Sequence, residues 1–434
     1  MQNRRIKYSL ILMALFMSFL GQAQKQLSLS DAISIGVRNN YDLQISRNAQ
    51  KSAAINNSRG NAGELPSISF STTGRENFNF NDKEDVRTQT ITPEVSLNWV
   101  LFNGFSAKIT KQKLETLEEQ SKGNTAVLVE STIQDIVLAY YNCLVQKEIL
   151  TVYDELNKLS EDRFKRTEDS KEMGASTTYE SLQAKTAWLE DQSNFLQQKV
   201  NLENAVRTLN YLLAEEDNET WEFTSPLKEV EAEYDLATMK TKLLANNQTL
   251  KNQYLNQSLL AQETALAKSR LFPKLSLNTG VRSNNTDMYY SDNTPDISQN
   301  STDAFFGLTL SYNIFNGGTT KRSIQLAKIN EETSYVKTDQ MKHSLTNQLL
   351  QQYSNFKVQQ SILELAKEKE SVAKLNLELS AEKLKNGAIN SFNYRDVQIA
   401  YMNAALKKFN AIYNLIQTNV GLMRLTGGIV DELE

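Results

Sequence analysis

Two stretches of this chain alternate as strands do and stop at the same signal, and no other feature limits its fold so tightly. In residues 304–318, Phe306, Leu308, Leu310, Tyr312 and Ile314 fall on even positions, with Gly307, Thr309, Ser311 and Asn313 between them. Successive side chains of a strand point to opposite faces, so the run has one apolar face and one polar face. It ends at Asn316-Gly317-Gly318, and helix-type sequence begins at Thr319. A second copy lies far upstream. Val95, Leu97, Trp99 and Leu101 share a face opposite Ser96 and Asn98, Val100 being the exception, and the run closes on Phe102-Asn103-Gly104. The chain is an internal duplication, and each half carries this strand.

The duplication can be registered. Asn39-Asn40 matches Asn246-Asn247, and Pro66 matches Pro273, at an offset of 207. Phe102-Asn103-Gly104 matches Phe315-Asn316-Gly317, and Gly174 matches Gly387, at 213. The six additional residues belong to the polar segment 284–302, expected to be a surface loop, where insertion is tolerated. The first repeat, 24–221, is expected to hold helices over 29–64 (with a break near Asn39-Asn40), 105–166 and 177–213, and strands over 66–80 and 93–102. The second, 222–425, is expected to hold helices over 235–271, 319–385 and 391–425, and strands over 273–283 and 304–315. Pro66 and Pro273 end the helices before the strands, because proline disfavours helix in the residue ahead of it. The last helix carries a heptad seam, Ile399, Met402, Leu406, Phe409, Tyr413, Ile416, Val420 and Met423, which requires a partner helix.

Residues 1–23 have the build of an export signal cleaved after Ala23: Arg4, Arg5 and Lys7, then an apolar core over 10–20, then Gly21-Gln22-Ala23. That core is shorter than the roughly 20 residues a spanning helix needs. With no other long apolar helix, a membrane-resident mature chain would have to be a closed barrel. A net charge of −4 and the lack of a basic patch interleaved with aromatics argue against nucleic acid. One cysteine, Cys143, and one histidine, His343, cannot build a His/Cys metal cluster, and no phosphate-binding glycine loop is present. No cofactor, metal or catalytic group is expected; Cys143 is expected to be a small buried residue and His343 an exposed one.

Four half-apolar strands in one chain leave open edges, which lipid does not tolerate. Copies of the chain must close them, and three copies give twelve antiparallel strands. Aromatic girdles are expected from Phe78, Phe80, Trp99, Tyr289, Tyr290, Phe305 and Phe306 at one end, and from Phe102 and Phe315 at the other.

The order helix, proline, strand, loop, strand, Phe-Asn-Gly, long helix, glycine turn, helix, repeated once, resembles the TolC-like outer-membrane efflux protein family over the whole mature chain. Its most specific marks are Leu101-Phe102-Asn103-Gly104 and Ile314-Phe315-Asn316-Gly317-Gly318. The resemblance implies an α+β membrane protein: a homotrimer whose twelve-stranded antiparallel barrel, four strands per chain, continues into a long α-helical coiled-coil tunnel. Residues 214–234 and 426–434 match its equatorial belt. It also implies outer-membrane lipid, a periplasmic adaptor and an inner-membrane pump as partners, in efflux or type I secretion. The tips carrying Gly174 and Gly387 would then be the periplasmic entrance, where the adaptor docks. Glu180 and Asp396 stand at acidic entrance positions and Asn393 replaces a second aspartate. Leu384 and Ile389 replace a tyrosine and an arginine of the family's latch, so apolar closure is expected. The rival reading is an exported periplasmic coiled-coil adaptor or scaffold without a pore, which has no need of lipid-matched strands.

Overall fold

A computed structural model describes residues 25–80, 85–227, 230, 232–291 and 294–430. The export segment 1–23 and residues 431–434 lie outside the described residues. The chain divides into two compact units. One comprises Ser46–Thr125 and Gln248–Lys342; the other comprises the chain up to Ile45, Ala126–Asn247, and His343 onward.

In chain order the elements are β1 (Lys25–Leu27), α1 (Leu29–Asn39), α2 (Tyr41–Asn56), β2 (Ser67–Asn79), β3 (Val86–Asn103), α3 (Ser106–Glu172) and α4 (Thr178–Leu213). Then follow β4 (Trp221–Phe223), α5 (Leu236–Asn246), α6 (Gln248–Ser269), β5 (Lys274–Tyr290), β6 (Ile297–Ser311), α7 (Thr319–Lys385) and α8 (Ser391–Leu425). The two 67-residue helices, α3 and α7, would each extend roughly 100 Å at the helical rise.

The first unit is built on one antiparallel sheet in the order β2-β3-β5-β6. Pairing aligns Ile68, Leu97, Thr279 and Phe306 in one row, and Phe70, Val95, Val281 and Ala304 in another. Trp99 lies beside Leu277 and Leu308. These rows put most of the apolar residues of all four strands on one face, and most of those are exposed. The other face carries Ser69 against Ser96 and Asn98 against Asn278, joined by side-chain hydrogen bonds at 3.2 and 2.5 Å.

The strands run farther than their apolar runs. β3 begins at Val86 rather than 93, β5 continues to Tyr290 rather than 283, and β6 begins at Ile297 rather than 304. Most of 284–302 is therefore paired strand and not loop. Backbone hydrogen bonds hold a strand whether or not its side chains are apolar, and alternation reports only the half-buried part. β6 also stops at Ser311, short of the expected 315, because its one partner ends where Lys274 pairs with Ser311. Tyr312, Ile314 and Phe315 are consequently outside the strand.

The girdle assignment changes too. Trp99 lies three residues from Phe102 on β3 and belongs to that end; Phe306 sits opposite Thr279, well inside the strands. Phe305 is on the polar face, where its ring fills the space over Gly280: a Cβ there would come within 2.9 Å of it.

The helix expected over 29–64 breaks at Asn40 and ends at Asn56. Beyond it, Ser58 Oγ accepts from Asn61 N at 3.2 Å and Gly63 takes φ +81°, a turn that competes with helix. α3 runs on to Glu172, six residues past expectation, because nothing before Gly174 breaks it.

The second unit is helical apart from a short parallel pair, β1 with β4, that the sequence did not suggest. Its core includes Ile136, Tyr140, Cys143, Leu209, Leu349, Phe356 and Leu415. Tyr140 is wholly buried, and its hydroxyl donates to the carbonyl of Leu27 at 2.9 Å. Burial pushes the Cys143 thiol up to about 12. On α8 the buried stripe is wider than the heptad seam. Ala404, Ala405, Ala411, Ile412 and Leu415 are buried, whereas Ile399, Met402, Leu406, Phe409 and Tyr413 are half-buried. His343 is exposed on α7.

Candidate functional site

Three features could serve a function: the sheet's apolar face, the strand-to-helix junctions and the helix tips.

The apolar face is the largest. Along β3 it runs from Ile91 to Leu101, about 33 Å of strand. At a tilt near 45° that is about 25 Å of height, the size of the lipid-facing band of an outer-membrane barrel. Beyond it the same face turns mostly polar, with Glu76, Gln89 and Asp287 in one row and Arg87 between the rings of Phe78 and Tyr289 in the next. An exposed band with a polar continuation is lipid chemistry, since a soluble domain rarely leaves so much apolar surface bare. Among the described residues no helix is long and apolar enough to cross a membrane.

Each strand-to-helix junction is a left-handed turn. Gly104 and Phe105 take φ +66° and +68°; Gly317 and Gly318 take +64° and +78°. Asn103 Oδ1 accepts from Ala107 N at 3.3 Å and Asn316 Oδ1 from Thr320 N at 3.5 Å, so each asparagine caps the helix that follows. The surroundings differ. Phe105 packs edge-on against Phe102 and Phe272, at 5.3 and 6.4 Å between ring centres. Ile314 and Phe315 are 89% and 83% exposed, and nothing lies within 4 Å of a Cβ added at Gly317. Pro66 and Pro273 each stand one residue ahead of a strand.

At the helix tips, Gly174 and Gly387 take φ +73° and +70°, which lets the chain reverse where a side chain would strain it. Glu180 is a capping residue: its carboxylate accepts from Thr177 N and Ser176 Oγ, both at 2.8 Å, and these bonds lower its pKa. The backbone N–H of Asn393 donates to Asn390 Oδ1 at 2.9 Å, and its side chain and that of Asp396 are exposed. Leu384 and Ile389 are half-buried.

The residue beside Asp396 turns inward instead. Arg395 makes a two-pronged ion pair with Asp191, at 2.5 and 2.7 Å, and also donates to Ser160 Oγ. Ser160 in turn donates to Asp191, which is 1% exposed. This buried tie joins α3, α4 and α8. No spacing in the sequence announces it, because its members lie on three helices more than thirty residues apart at the closest.

Comparison with known proteins agrees with this picture. The family model described as outer membrane efflux protein matches residues 33–215 and 241–428. No curated protein sequence matches the chain. Among solved structures, the Campylobacter jejuni CmeC outer membrane channel is similar at a TM-score of 0.77, with 17% identity over 92% of this chain and 85% of that one. CusC is similar at 0.76, with 14% identity over 94% and 96%. The Neisseria gonorrhoeae MtrE outer membrane channel, in its open state, is similar at 0.70, with 13% identity over 92% and 89%.

Proposed function

The chain belongs to the outer membrane efflux protein family, and from that premise we propose that three copies close into a passive export conduit through the outer membrane. β2 of one copy pairs with β6 of the next, giving a twelve-stranded barrel that leads into a helical tunnel. The mature chain, cleaved near Ala23, then resides in the outer membrane with a large periplasmic extension. It works with a periplasmic adaptor and an inner-membrane pump, and catalyses no reaction itself.

The observation that carries this reading is the open edge. β3 is paired on both sides and its junction is packed, whereas β6 has one neighbour and its junction is bare. A lipid-facing strand edge costs several kcal/mol per unpaired backbone group, so the edge must be covered. Unpartnered heptad seams on the helices support the same closure: Leu182, Leu189 and Leu196 on α4, and Val358, Leu365, Val372 and Leu379 on α7, are all exposed at seven-residue spacing.

Light scattering of the full-length protein in detergent, with gel mobility before and after heating, tests the proposal. A heat-modifiable trimer is expected. A monomer that stays dissolved without detergent would overturn it. The tips at Gly174 and Gly387 are the proposed docking points for the adaptor, and Glu180, Asn393 and Asp396 the proposed entrance residues. Three copies of Asp396 facing one another would attract multivalent cations. Divalent-cation block of conductance is therefore expected to weaken in Asp396→Ala; equal block would remove Asp396 from the entrance.

A further inference from the structure

The buried tie at the helix tips leaves one positive charge unmatched. Two guanidinium groups, Arg163 and Arg395, lie near one buried carboxylate, Asp191, and Arg395 occupies both of its oxygens. Arg163 is only 8% exposed, yet its Nε–H has no hydrogen-bond partner. One of its Nη groups reaches no more than the carbonyl of Ser391, at 3.3 Å. Burial, and then the charge of Arg395, lower its pKa, against the opposing pull of Asp191 and Tyr394. A buried charge without a partner is strongly unfavourable.

Arg163 lines a cleft of about 610 Å³ formed by the ends of α3, α4, α7 and α8. Its walls add the cations of Arg166 and Lys385 and the hydroxyls of Ser170 and Ser391. Tyr394 also lines it; burial raises its phenol, while Gln398 and then the charges of Arg166 and Arg163 pull the other way. Two acids are present, and neither supplies the missing partner. Glu180 spends its carboxylate on the cap of α4, and Asp162 is exposed at the rim with no ion pair among the described residues.

We propose that this cleft is an oxyanion site, with Arg163 as its anchor and Arg166 and Lys385 at its mouth. Guanidinium forks and hydroxyl donors suit a carboxylate or phosphate, which can take several hydrogen bonds at once. The oxyanion comes either from a small free anion or from an acidic side chain of a periplasmic partner. The site is complete within one copy of the chain. Its failure is thus separable from failure of the trimer, which light scattering reports on the same sample.

Calorimetric titration of the full-length protein in detergent, at fixed ionic strength in chloride, tests it with citrate, inorganic phosphate and an acetylated, amidated Glu-containing tripeptide. Saturable binding of at least one probe is expected. Phosphate alone assigns a free phosphoryl anion, citrate assigns a free carboxylate, and the tripeptide assigns a side-chain donor. Arg163→Gln is expected to weaken binding at least tenfold and Arg166→Gln several-fold, while Asp162→Asn, which removes a rim negative charge, is expected to tighten it. Arg166 and Asp162 are exposed, so their variants report on the site even where Arg163→Gln fails to fold. No saturable binding beyond chloride, or unchanged affinity in Arg166→Gln and Asp162→Asn, would overturn the proposal.

Discussion

The two strand-to-helix junctions began as copies of one another and now differ in what surrounds them. At the first, the turn at Gly104 is pressed against the end of α6: a Cβ there would overlap the carbonyl oxygen of Ser269 and lie 2.9 Å from Phe272 Cβ. At the second, Gly317 has open space around it. The turn chemistry is the same in both, asparagine followed by left-handed backbone. What differs is position in the sheet. β3 is interior and β6 is an edge. If another copy covers β6 as proposed, the first junction shows what the second should look like once its neighbour is in place.

That lesson gives a register. The repeat offsets of 213 and 207 carry the pairing of Leu97 with Thr279 onto Leu310 and Thr72 of an adjoining copy. The largest expected effect is therefore covalent. Oxidation of a Leu310→Cys, Thr72→Cys double variant should yield a ladder on denaturing gels that stops at three chains. Cross-linking that is absent, or that continues past three, would break the comparison. Cys143 gives no background, since burial holds its thiol protonated.

Next in size is the contrast between the glycines. Both positions carry the left-handed penalty of about 1–2 kcal/mol for a side chain, but Gly104→Ala adds a steric overlap. Thermal unfolding of the dissociated monomer should fall clearly more for Gly104→Ala than for Gly317→Ala. In the trimer the gap should narrow, as the second junction acquires walls. A gap of equal size in both states would mean that nothing covers β6.

The smallest difference is expected for a pair that is filled in both repeats. Asn40 Nδ2 donates to the carbonyl of Leu212, and Asn247 Nδ2 to that of Leu425, each at 3.1 Å. Asn40→Ala and Asn247→Ala should each cost about 1–3 kcal/mol, the penalty for an orphaned buried group. Denaturant unfolding should find the two costs similar, with no dependence on assembly. Unequal costs would show that the repeats differ inside the chain as well as at its edge.

These same residues separate what could be read from the chain from what could not. Local punctuation was legible: Pro66 and Pro273 ahead of strands, glycines where the backbone turns left-handed, and a break at Asn40. Each acts through its own backbone preference or its immediate neighbours. Alternation located the apolar core of each strand in the four-stranded sheet, and missed the polar ends, because pairing of backbone groups leaves no mark on side chains that stay in water.

The sequence by itself therefore determined the repeat, the order of the long helices and the four sheet strands, and the strand faces, all consequences of short-range geometry. Only the tertiary structure decided which strands are edges, and that Asp191, Arg395 and Arg163 share one buried neighbourhood. Those facts depend on contacts between residues far apart in sequence, and charge, size and spacing along the chain carry no record of which distant partner will satisfy them.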